Sequence, residues 1–563
     1  MAAAALAAAG CSKGDPNAIP TQSTHSRDQP TIPPRALGNR TPTASGSEQR
    51  GGTLQYVSLV NGDGRYDPHK TGAGPFFGQQ ALVYSRLLAF TDQGKGTIAP
   101  DLAAALPEQP DATTFVLRLR NGAKWPDDGP LAGRAVTAED VKASIDRQYA
   151  GDGSFARKPA WSQVDSVSIP EAGVVSIKLK APYAPMLGVL AGVNAFIVPR
   201  EYTDGSHSFS RSEQPGSGPF RWVEWSEGKL ASVARNPSWF AGDGKQPFLD
   251  GVSLTQPRDT GEVEAGLRTK KYDAAFVGRT AADSLLKSIP QLQEQTFGQA
   301  RFFGMRYYIP IPPYNDLRLR AALVLALDRR AMLQRFFQGS GEVNAWVSWP
   351  NTRWAMPQSE LSTIPGYRID PAGREADLKE ARSLVAAYLS DKELPGQLPL
   401  YVPEDTENSL GMGSLIRDQV KQATDLNIQV FPVTIDAIIA RLLEGKAPWV
   451  CGPDDGWVDL DDWVFPYFHS EGPKNSFPLR DAQIDSAILS QRAELNENQR
   501  KEIGLSIQRR LIQLHAGVNL VSERVVSLAW PYVKDFPLDI KDGYQHRFAQ
   551  TWLDPSDPSF RGR

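Results

Sequence analysis

The stretch "IAPDLAAALPEQPDATTFVLRLRNGAKWPDDGPLAGRAVTAEDVKASIDR", from Ile98 to Arg147, contains a strand, a turn and a helix in close succession. Phe115, Leu117 and Leu119 share one face of an extended chain, and the two arginines that alternate with them share the other. This period-two pattern is typical of a half-buried strand, usually in an antiparallel sheet. The Asn-, Gly-, Asp- and Pro-rich segment that follows, residues 121–130, predicts a turn.

The end of the same stretch predicts a helix that begins at a capping residue. Thr137 can accept the first free backbone N–H groups, and Asp140 stands at the third position, where a carboxylate can return the contact. Val141, Ile145 and Tyr149 recur at helical spacing and form the predicted buried stripe.

Farther along the chain the pattern changes to an alternation of helices and strands. "DLRLRAALVLALDRRAMLQRFF", residues 316–337, predicts one deeply packed helix that is apolar most of the way round. After it, helical and strand patterns alternate up to residue 445, which is typical of an α/β layer. The chain therefore holds two different α/β bodies, and ligands of such proteins favour the cleft between domains and the loops at strand ends.

Length and composition limit the classes of protein that remain. A chain of 563 residues is longer than a single hydrophobic core can accommodate, so two or three packed units are expected. The apolar fraction of 41% is ordinary for a soluble protein, and a net charge of −3 favours neither nucleic acid nor an acidic membrane surface as a partner. No apolar run approaches the roughly 20 residues that span a bilayer.

The N-terminus differs from the rest of the chain. "MAAAALAAAGC", residues 1–11, is similar to the cleavage box of a bacterial lipoprotein with Cys11 as the lipidated residue, although it lacks a basic start and its apolar part is short. Residues 12–50 are rich in Pro, Ser, Thr and Gln and predict a disordered tether. The alternative is an Ala-rich terminus without a function. Cys451 is then left unpaired, and we expect it to be a small buried residue rather than a reactive thiol.

Motifs for cofactors and catalysis do not fit. "GAGPFFG", residues 72–78, is one residue too long for a dinucleotide fingerprint, and the glycines near residue 216 lack the spacing of a nucleophile elbow. The six histidines are scattered without the spacing of zinc ligands. We therefore expect no metal, no cofactor and no enzymatic activity.

The segment "PWVCGPDDGWVDLDDWVFPYF", Pro448 to Phe468, combines five aspartates and three tryptophans in 21 residues. Its acids lack the glycine and the final acid that a calcium loop requires. The residues alone leave four interpretations of this segment: a metal site, a catalytic acid pair, a ligand pocket, or a core edge with an acidic loop.

Four further segments and the opening stretch together resemble one family. "GGTL" with "YDPHK", residues 66–70, the stretch Ile98–Arg147, "GSGPFRWVEWSEGKLASVARNPSWF" from Gly216, and "PPYNDLRLRAALVLALDRRAML" from Pro312 follow the family order over about residues 51–535. The chain resembles bacterial extracellular solute-binding proteins of family 5, the oligopeptide-, dipeptide- and nickel-binding proteins of ABC importers. Since the match depends on five ordered motifs, it is specific although each motif alone is weak.

The resemblance implies an α/β, two-lobed periplasmic-binding-protein fold of type II, with an extra domain in the first lobe and a hinge between the lobes. It implies a first lobe at 51–306 with the extra domain at about 91–215, a second lobe at 307–525, and a return to the first lobe at 526–563. Residues 307–314 and 519–526 would form the two crossings of the hinge.

The resemblance also implies ligand-binding residues. In peptide-binding members, an aspartate in a W-x-x-D-Y-x-x-P segment holds the α-amine of the ligand. The corresponding "GWVDLDDW" departs from the pattern by one residue, so Asp459 is the first candidate and Asp461 the second, with a solvated or helix-capping acid as the alternative. The aromatic candidates for ligand contact are Trp457, Trp463, Phe76, Phe77, Trp449 and Tyr84.

The expected function is a lipid-anchored receptor at the periplasmic or cell surface. It would be monomeric, capture peptides or peptide-like solutes, and deliver them to an ABC permease and its ATPase. An oligosaccharide or an opine is the alternative ligand. A glycosidase, which needs two facing carboxylates, and an extracytoplasmic chaperone or sensor are more distant alternatives.

Overall fold

The computed structural model of the chain describes residues 48–560 except 61, 73, 128–129, 242–243, 349, 405, 407, 455 and 539–542. The predicted lipidation residue Cys11 and residues 12–47 of the predicted tether lie outside the described residues.

Strands are distributed along the whole described chain. Their bounds, in chain order, are β1 (Thr53–Val57), β2 (Leu88–Asp92), β3 (Thr97–Pro100), β4 (Glu108–Asp111), β5 (Thr114–Arg118), β6 (Val164–Glu171), β7 (Val174–Leu179), β8 (Phe220–Ser226), β9 (Leu230–Arg235), β10 (Gly251–Thr255), β11 (Ala274–Val277), β12 (Gln293–Gly298), β13 (Phe302–Tyr307), β14 (Gly341–Val343), β15 (Leu398–Pro403), β16 (Ile428–Val433), β17 (Trp449–Asp454), β18 (Gly517–Ala529), β19 (Val533–Lys534) and β20 (Trp552–Leu553).

Helices lie between these strands and are longest in the second half. Their bounds, in chain order, are α1 (Gly74–Val83), α2 (Ala138–Ala150), α3 (Lys158–Trp161), α4 (Met186–Ala191), α5 (Thr260–Arg268), α6 (Arg279–Ser288), α7 (Leu317–Leu325), α8 (Arg329–Phe337), α9 (Gln358–Leu361), α10 (Pro371–Leu389), α11 (Ser409–Thr424), α12 (Ile435–Leu443), α13 (Asp461–Phe468), α14 (Ala482–Ala493) and α15 (Glu497–Gln513).

One long mixed sheet carries both lobes, in the order β16-β15-β17-β13-β18-β11-β1-β10-β9-β8. The long strand β18 joins its two parts: residues 517–521 pair with β13, and residues 526–529 pair with β11. The strands before β18 in this order pack in one hydrophobic core, and those after it pack in another. A strand that is shared in this way can bend between the lobes, and it contains the predicted crossing at residues 519–526.

Three hydrophobic cores correspond to the two lobes and to a domain inserted in the first lobe. The inserted domain consists of the antiparallel sheet β4-β5-β7-β6 together with α2, α3 and α4. Its core also includes Val458, a residue of the second lobe, so the lobes are in contact. The α/β, two-lobed fold is confirmed, while the residue boundaries of its parts stay predictions.

The local predictions for the inserted domain are confirmed in most positions, but Leu119 and Tyr149, which were predicted on the buried faces, are only partly buried. Phe115 and Leu117 are buried in β5. The helix α2 begins after Thr137, and the reciprocal contacts between Thr137 and Asp140 form a capping box. Val141 and Ile145 are almost fully buried on the predicted face.

The prediction of one helix over residues 316–337 is wrong, because two helices, α7 and α8, occupy this segment. Asp328 lies between them in an extended conformation, and its carboxylate accepts the backbone N–H of Ala331. Asp328 therefore caps the start of a second helix inside the apolar segment. The apolar residues around it concealed this capping signal in the sequence.

Within the described residues, no helix combines the length and apolar character that crossing a membrane requires.

Candidate ligand-binding site

The acidic segment lies at the end of a parallel strand pair in the second lobe. The strand β17 runs parallel to β15, and after it the chain turns and enters α13. Loops at the carboxyl ends of parallel strands are the usual position of ligand sites in α/β proteins. Asn351 fixes the turn, since its amide donates to the carbonyl oxygens of Trp457 and Val458 at 2.8 Å each.

Asp459 is paired with an arginine of its own lobe. Arg500, on α15, donates Nη2 to Oδ1 at 2.6 Å and Nη1 to Oδ2 at 3.0 Å. Oδ1 also accepts the backbone N–H of Asp461 at 2.9 Å, at the start of α13. Burial tends to raise the pKa of the Asp459 carboxyl, but Arg500 more than offsets this effect and the pKa lies below its usual value. The carboxylate is therefore charged and satisfied from within the second lobe.

Asp461 connects the second lobe with the inserted domain. It accepts the hydroxyl of Tyr183, in the inserted domain, at 2.8 Å and the side-chain amide of Gln491 at 2.6 Å. Arg492 Nε lies 3.0 Å from its Oδ1. Burial raises the pKa of this carboxyl above its usual value despite these partners. A neighbouring backbone contact, from Ala184 N–H to the carbonyl of Arg492 at 2.7 Å, crosses the same boundary.

Asp462 is paired across the lobes. Arg157, which caps α3 of the inserted domain, places Nη2 at 2.7 Å from its Oδ1. Burial raises the pKa of the Asp462 carboxyl, and the pKa of Arg157 is also above its usual value because Asp462 outweighs the effect of burial. The three aspartates thus have three different arginines as partners, and only one of these arginines comes from the opposite lobe.

Two small cavities lie on either side of Trp457 and Asp459. The first lies within the second lobe and the second lies between the lobes. The space between their atoms, including the part that is open to solvent, is about 280 Å³ in the first and about 320 Å³ in the second. Both are narrow, so the space open to water holds about one or two molecules. The second cavity is lined by Phe90, Arg157, Gly188, Gly192, Val193, Trp457, Val458, Asp459, Asp462 and Tyr544.

The structure brings some of the predicted ligand-binding residues together. Trp457 and Asp459 line both cavities, and Trp463 lines the first one. The ring of Trp457 has the guanidinium of Arg157 5.7 Å from its centroid. Asp461 lines neither cavity and is nearly fully buried. The role of these residues in ligand binding stays a prediction.

The structure does not bring the other four aromatic candidates to these cavities. Phe76 packs in the core of the first lobe and Phe77 in the core of the inserted domain. Tyr84 is fully buried beside Phe196, and Trp449 is fully buried beside Tyr307 in the second lobe. Burial of large aromatic surface against neighbouring rings explains these positions.

Sequence reasoning missed the arginines that complete the site. Arg157, Arg492 and Arg500 lie in segments that are polar along the chain, where an arginine is normally solvated. Arg500 is nevertheless only 2% exposed. An acidic cluster that must be buried needs cations from distant segments, but the sequence does not indicate which ones.

The remaining chemical groups near the site are inert or scattered. Cys451 is fully buried in β17, and burial raises the pKa of its thiol to about 12, which keeps it protonated. Among the described residues, no group of three or more His, Cys, Asp and Glu side chains has the arrangement of a metal site.

Comparisons with known proteins identify relatives along most of the chain. The sequence profile described as bacterial extracellular solute-binding proteins, family 5 Middle, matches residues 97–476. A probable di/tripeptide-binding protein 5 of Pseudomonas aeruginosa (strain UCBPP-PA14) is 26% identical over 504 residues, which are 82% of this chain and 87% of that protein.

Solved structures share the fold at lower identity. The oligopeptide-binding protein AppA from Bacillus subtilis, in complex with a nonapeptide, has a TM-score of 0.72 and 19% identity, covering 90% of this chain and 99% of that one. The PBP AgaA from A. tumefacien R10, in complex with agropinic acid, has a TM-score of 0.71 and 20% identity, covering 89% and 99%. The chain belongs to the bacterial extracellular solute-binding proteins of family 5, which are transport receptors and not enzymes.

Proposed function

We propose that this protein is the receptor of an ABC importer that captures a peptide or peptide-like solute between its two lobes. The observation that carries the proposal is the contact of one short segment, Trp457 to Asp462, with the inserted domain beside a cavity that both lobes line. The naming of relatives as peptide-binding proteins supports the same ligand class.

The small size of the cavity explains how capture works. The cavity between the lobes has room for about one or two water molecules, and the volume of even a dipeptide is larger than that. A ligand therefore enters when the lobes separate, and it shifts the protein toward the closed form only through contacts that this form alone provides. The shared strand β18 is the element about which the lobes move.

The closed form delivers the solute to a membrane permease and its ATPase. In this proposal Cys11 carries a lipid anchor, residues 12–50 form the tether, and the monomeric receptor acts at the periplasmic or cell surface. Because a single acyl chain anchors weakly, the anchor would need more than one chain.

The test is a ligand screen on the full chain with Cys11→Ser, which prevents lipidation. Peptides of different lengths, opines, oligosaccharides and metal chelates are compared by thermal unfolding and by calorimetry. A bound ligand at a hundred times its dissociation constant raises the free energy of unfolding by about 2.7 kcal/mol. Binding of peptides supports the proposal.

Two results would contradict peptide transport in different ways. Binding of neutral oligosaccharides alone would favour the four tryptophans of the first cavity as a sugar surface, namely Trp346, Trp354, Trp457 and Trp463. Binding of opines alone would agree with the ligand of the A. tumefacien R10 structure. In both cases the proposed receptor function would remain supported. An oligosaccharide or an opine would then replace the peptide as the proposed solute.

A further inference from the structure

The inserted domain and the second lobe also touch at a place away from the acidic segment. The turn between β2 and β3, residues 93–96, belongs to the inserted domain, because Leu88 and Phe90 of β2 pack in the core of that domain. Residues 350–353 belong to the second lobe, because Trp354, which follows them directly, is buried in the core of that lobe. A contact between these two segments therefore exists only while the lobes are together.

One carbonyl oxygen of the turn accepts two hydrogen bonds from the second lobe. The backbone N–H of Arg353 donates to the carbonyl oxygen of Gly94 at 3.0 Å. The hydroxyl of Thr352 donates to the same oxygen at 3.2 Å. Since a carbonyl oxygen has two lone pairs, the opposite lobe fills its capacity. When the lobes separate, water has to replace both donors.

Two glycines permit this close approach, one on each side of residues 350–353. A methyl group on Gly94 would lie 2.7 Å from the carbonyl oxygen of Pro350, and one on Gly298 would lie 2.3 Å from the ring of the same proline. Gly298 ends β12, which pairs with β18, the strand that both lobes share. A side chain at either glycine would therefore require the second-lobe segment to move away.

The segment is anchored firmly within its own lobe. Nη2 of Arg353 donates to the carboxylate of Glu497 on α15 at 2.9 Å, and the guanidinium lies 4.5 Å from the ring centroid of Trp354. Lys501, one turn farther along α15, donates Nζ to the carbonyl oxygen of Thr352 at 3.2 Å. Residues 350–353 therefore move with the second lobe.

We propose that residues 350–353 and the turn at Gly94 form a clasp that holds the lobes together independently of the solute. The three residues that make its hydrogen bonds, Gly94, Thr352 and Arg353, line neither cavity. Their contacts are lost when the lobes separate and do not depend on the chemistry of a bound molecule. The clasp therefore sets the fraction of the protein that is closed before any solute binds.

The clasp has a consequence for affinity, which rests on the proposed receptor function. A solute that binds only the closed form has an apparent dissociation constant equal to the intrinsic constant divided by the closed fraction. A weaker clasp lowers that fraction by the same factor for every solute. Substitutions in the clasp should therefore change the affinity for all solutes together and leave the preference among them unchanged.

The first test measures the distance between the lobes without any solute. Spin labels are attached at two exposed positions, Glu108→Cys in the inserted domain and Gln422→Cys in the second lobe, on the full chain with Cys11→Ser. Cys451 stays unlabelled, because it is fully buried and the raised pKa of its thiol keeps it protonated. Gly94→Ala should shift the distances measured by pulsed electron paramagnetic resonance toward longer values.

A second variant and a matched control accompany this measurement. Thr352→Val removes one of the two hydrogen bonds and keeps the shape of the side chain, so it should produce a smaller shift in the same direction. Gly153→Ala is the control in the same domain, since a methyl group there would meet no atom within 4 Å, and it should leave the distances unchanged. Thermal unfolding of the three variants separates lobe opening from a folding defect.

The second test compares the affinities for two peptides of different length by calorimetry. Gly94→Ala should weaken the binding of dialanine and of tetraalanine by the same factor, about tenfold. Gly153→Ala should weaken neither peptide, because its methyl group lies in open space.

Two results would overturn the inference. A folded Gly94→Ala protein with the same distances as the unsubstituted chain would show that this contact does not hold the lobes together. A change in the ratio of the two affinities would show that Gly94 takes part in recognition instead. If neither peptide binds while the distances shift as expected, the clasp is supported and the proposed peptide ligand fails, so the two failures are distinguishable.

Discussion

Asp459 and Asp462 lie three residues apart and have opposite structural roles. Asp459 is held by two contacts from Arg500 of the same lobe, whereas Asp462 is held by one contact from Arg157 of the other lobe. The first pair does not depend on contact between the lobes, because both of its residues belong to the second lobe. The second pair exists only while the lobes touch.

The difference shows how one short segment serves two purposes. The Asp459–Arg500 pair fixes the start of α13 on α15 and so gives the segment a rigid base. The Asp462–Arg157 pair uses that base to present a charge to the opposite lobe. A contact that exists only while the lobes touch cannot also maintain the fold of one lobe.

The largest expected effect follows from breaking the pair within the lobe. Arg500→Gln leaves the buried carboxylate of Asp459 without its cation and should lower the free energy of unfolding by about 3–5 kcal/mol. Arg157→Gln should lower it by only about 1 kcal/mol, because lobe separation lets water reach Asp462. Urea unfolding of the full chain measures both values.

A double-mutant cycle provides the control for this prediction. Asp459→Asn combined with Arg500→Gln should cost less than the sum of the single changes, since the two side chains are directly coupled. Equal losses for Arg500→Gln and Arg157→Gln would show that the two pairs do not differ in role.

A smaller effect concerns the pH dependence of stability, which should have opposite signs at the two aspartates. The folded pKa of Asp459 lies below the ordinary value of 3.8, so its contribution is complete above that value and is lost as the pH falls through the folded pKa. The folded pKa of Asp462 lies above 3.8, so the folded protein takes up this proton first.

The measurement is the difference in the free energy of unfolding between the wild type and each Asp→Asn variant, between about pH 3 and pH 7. For Asp459→Asn the difference should shrink as the pH falls below 3.8. For Asp462→Asn the wild type should gain relative to the variant as the pH falls toward 3.8 from above. Differences of the same sign at both residues would contradict the distinction.

The fold was largely predictable from the sequence, whereas the site was predictable only in part. Strand alternation around Phe115 and the cap at Thr137 are local signals, and the structure confirms both. The break at Asp328 was missed because an apolar run hid a capping aspartate. The partners of the aspartates were missed because they depend on contacts between segments more than 30 residues apart, such as Arg500 with Asp459.

The smallest expected effect tests whether Asp459 also faces the opposite lobe. Gly188, in α4 of the inserted domain, has space for a methyl group, which would lie 3.7 Å from Oδ2 of Asp459 at ordinary contact distance. Gly188→Ala should raise the free energy of unfolding by up to about 1 kcal/mol through helix propensity. It should also weaken the binding of a peptide identified in the ligand screen, because the methyl group occupies the cavity between the lobes.

Gly192→Ala is the matched control at the end of the same helix. A methyl group there would lie 2.9 Å from the carbonyl oxygen of Gly188, too close without a shift of the backbone, so this variant should be less stable than the wild type. Thermal unfolding and calorimetry of both variants separate packing from binding. A loss of stability in Gly188→Ala as large as that in Gly192→Ala would show that the inserted domain already packs tightly on Asp459. Asp459 and Asp462 would then both contact the opposite lobe, and their roles would differ only in extent.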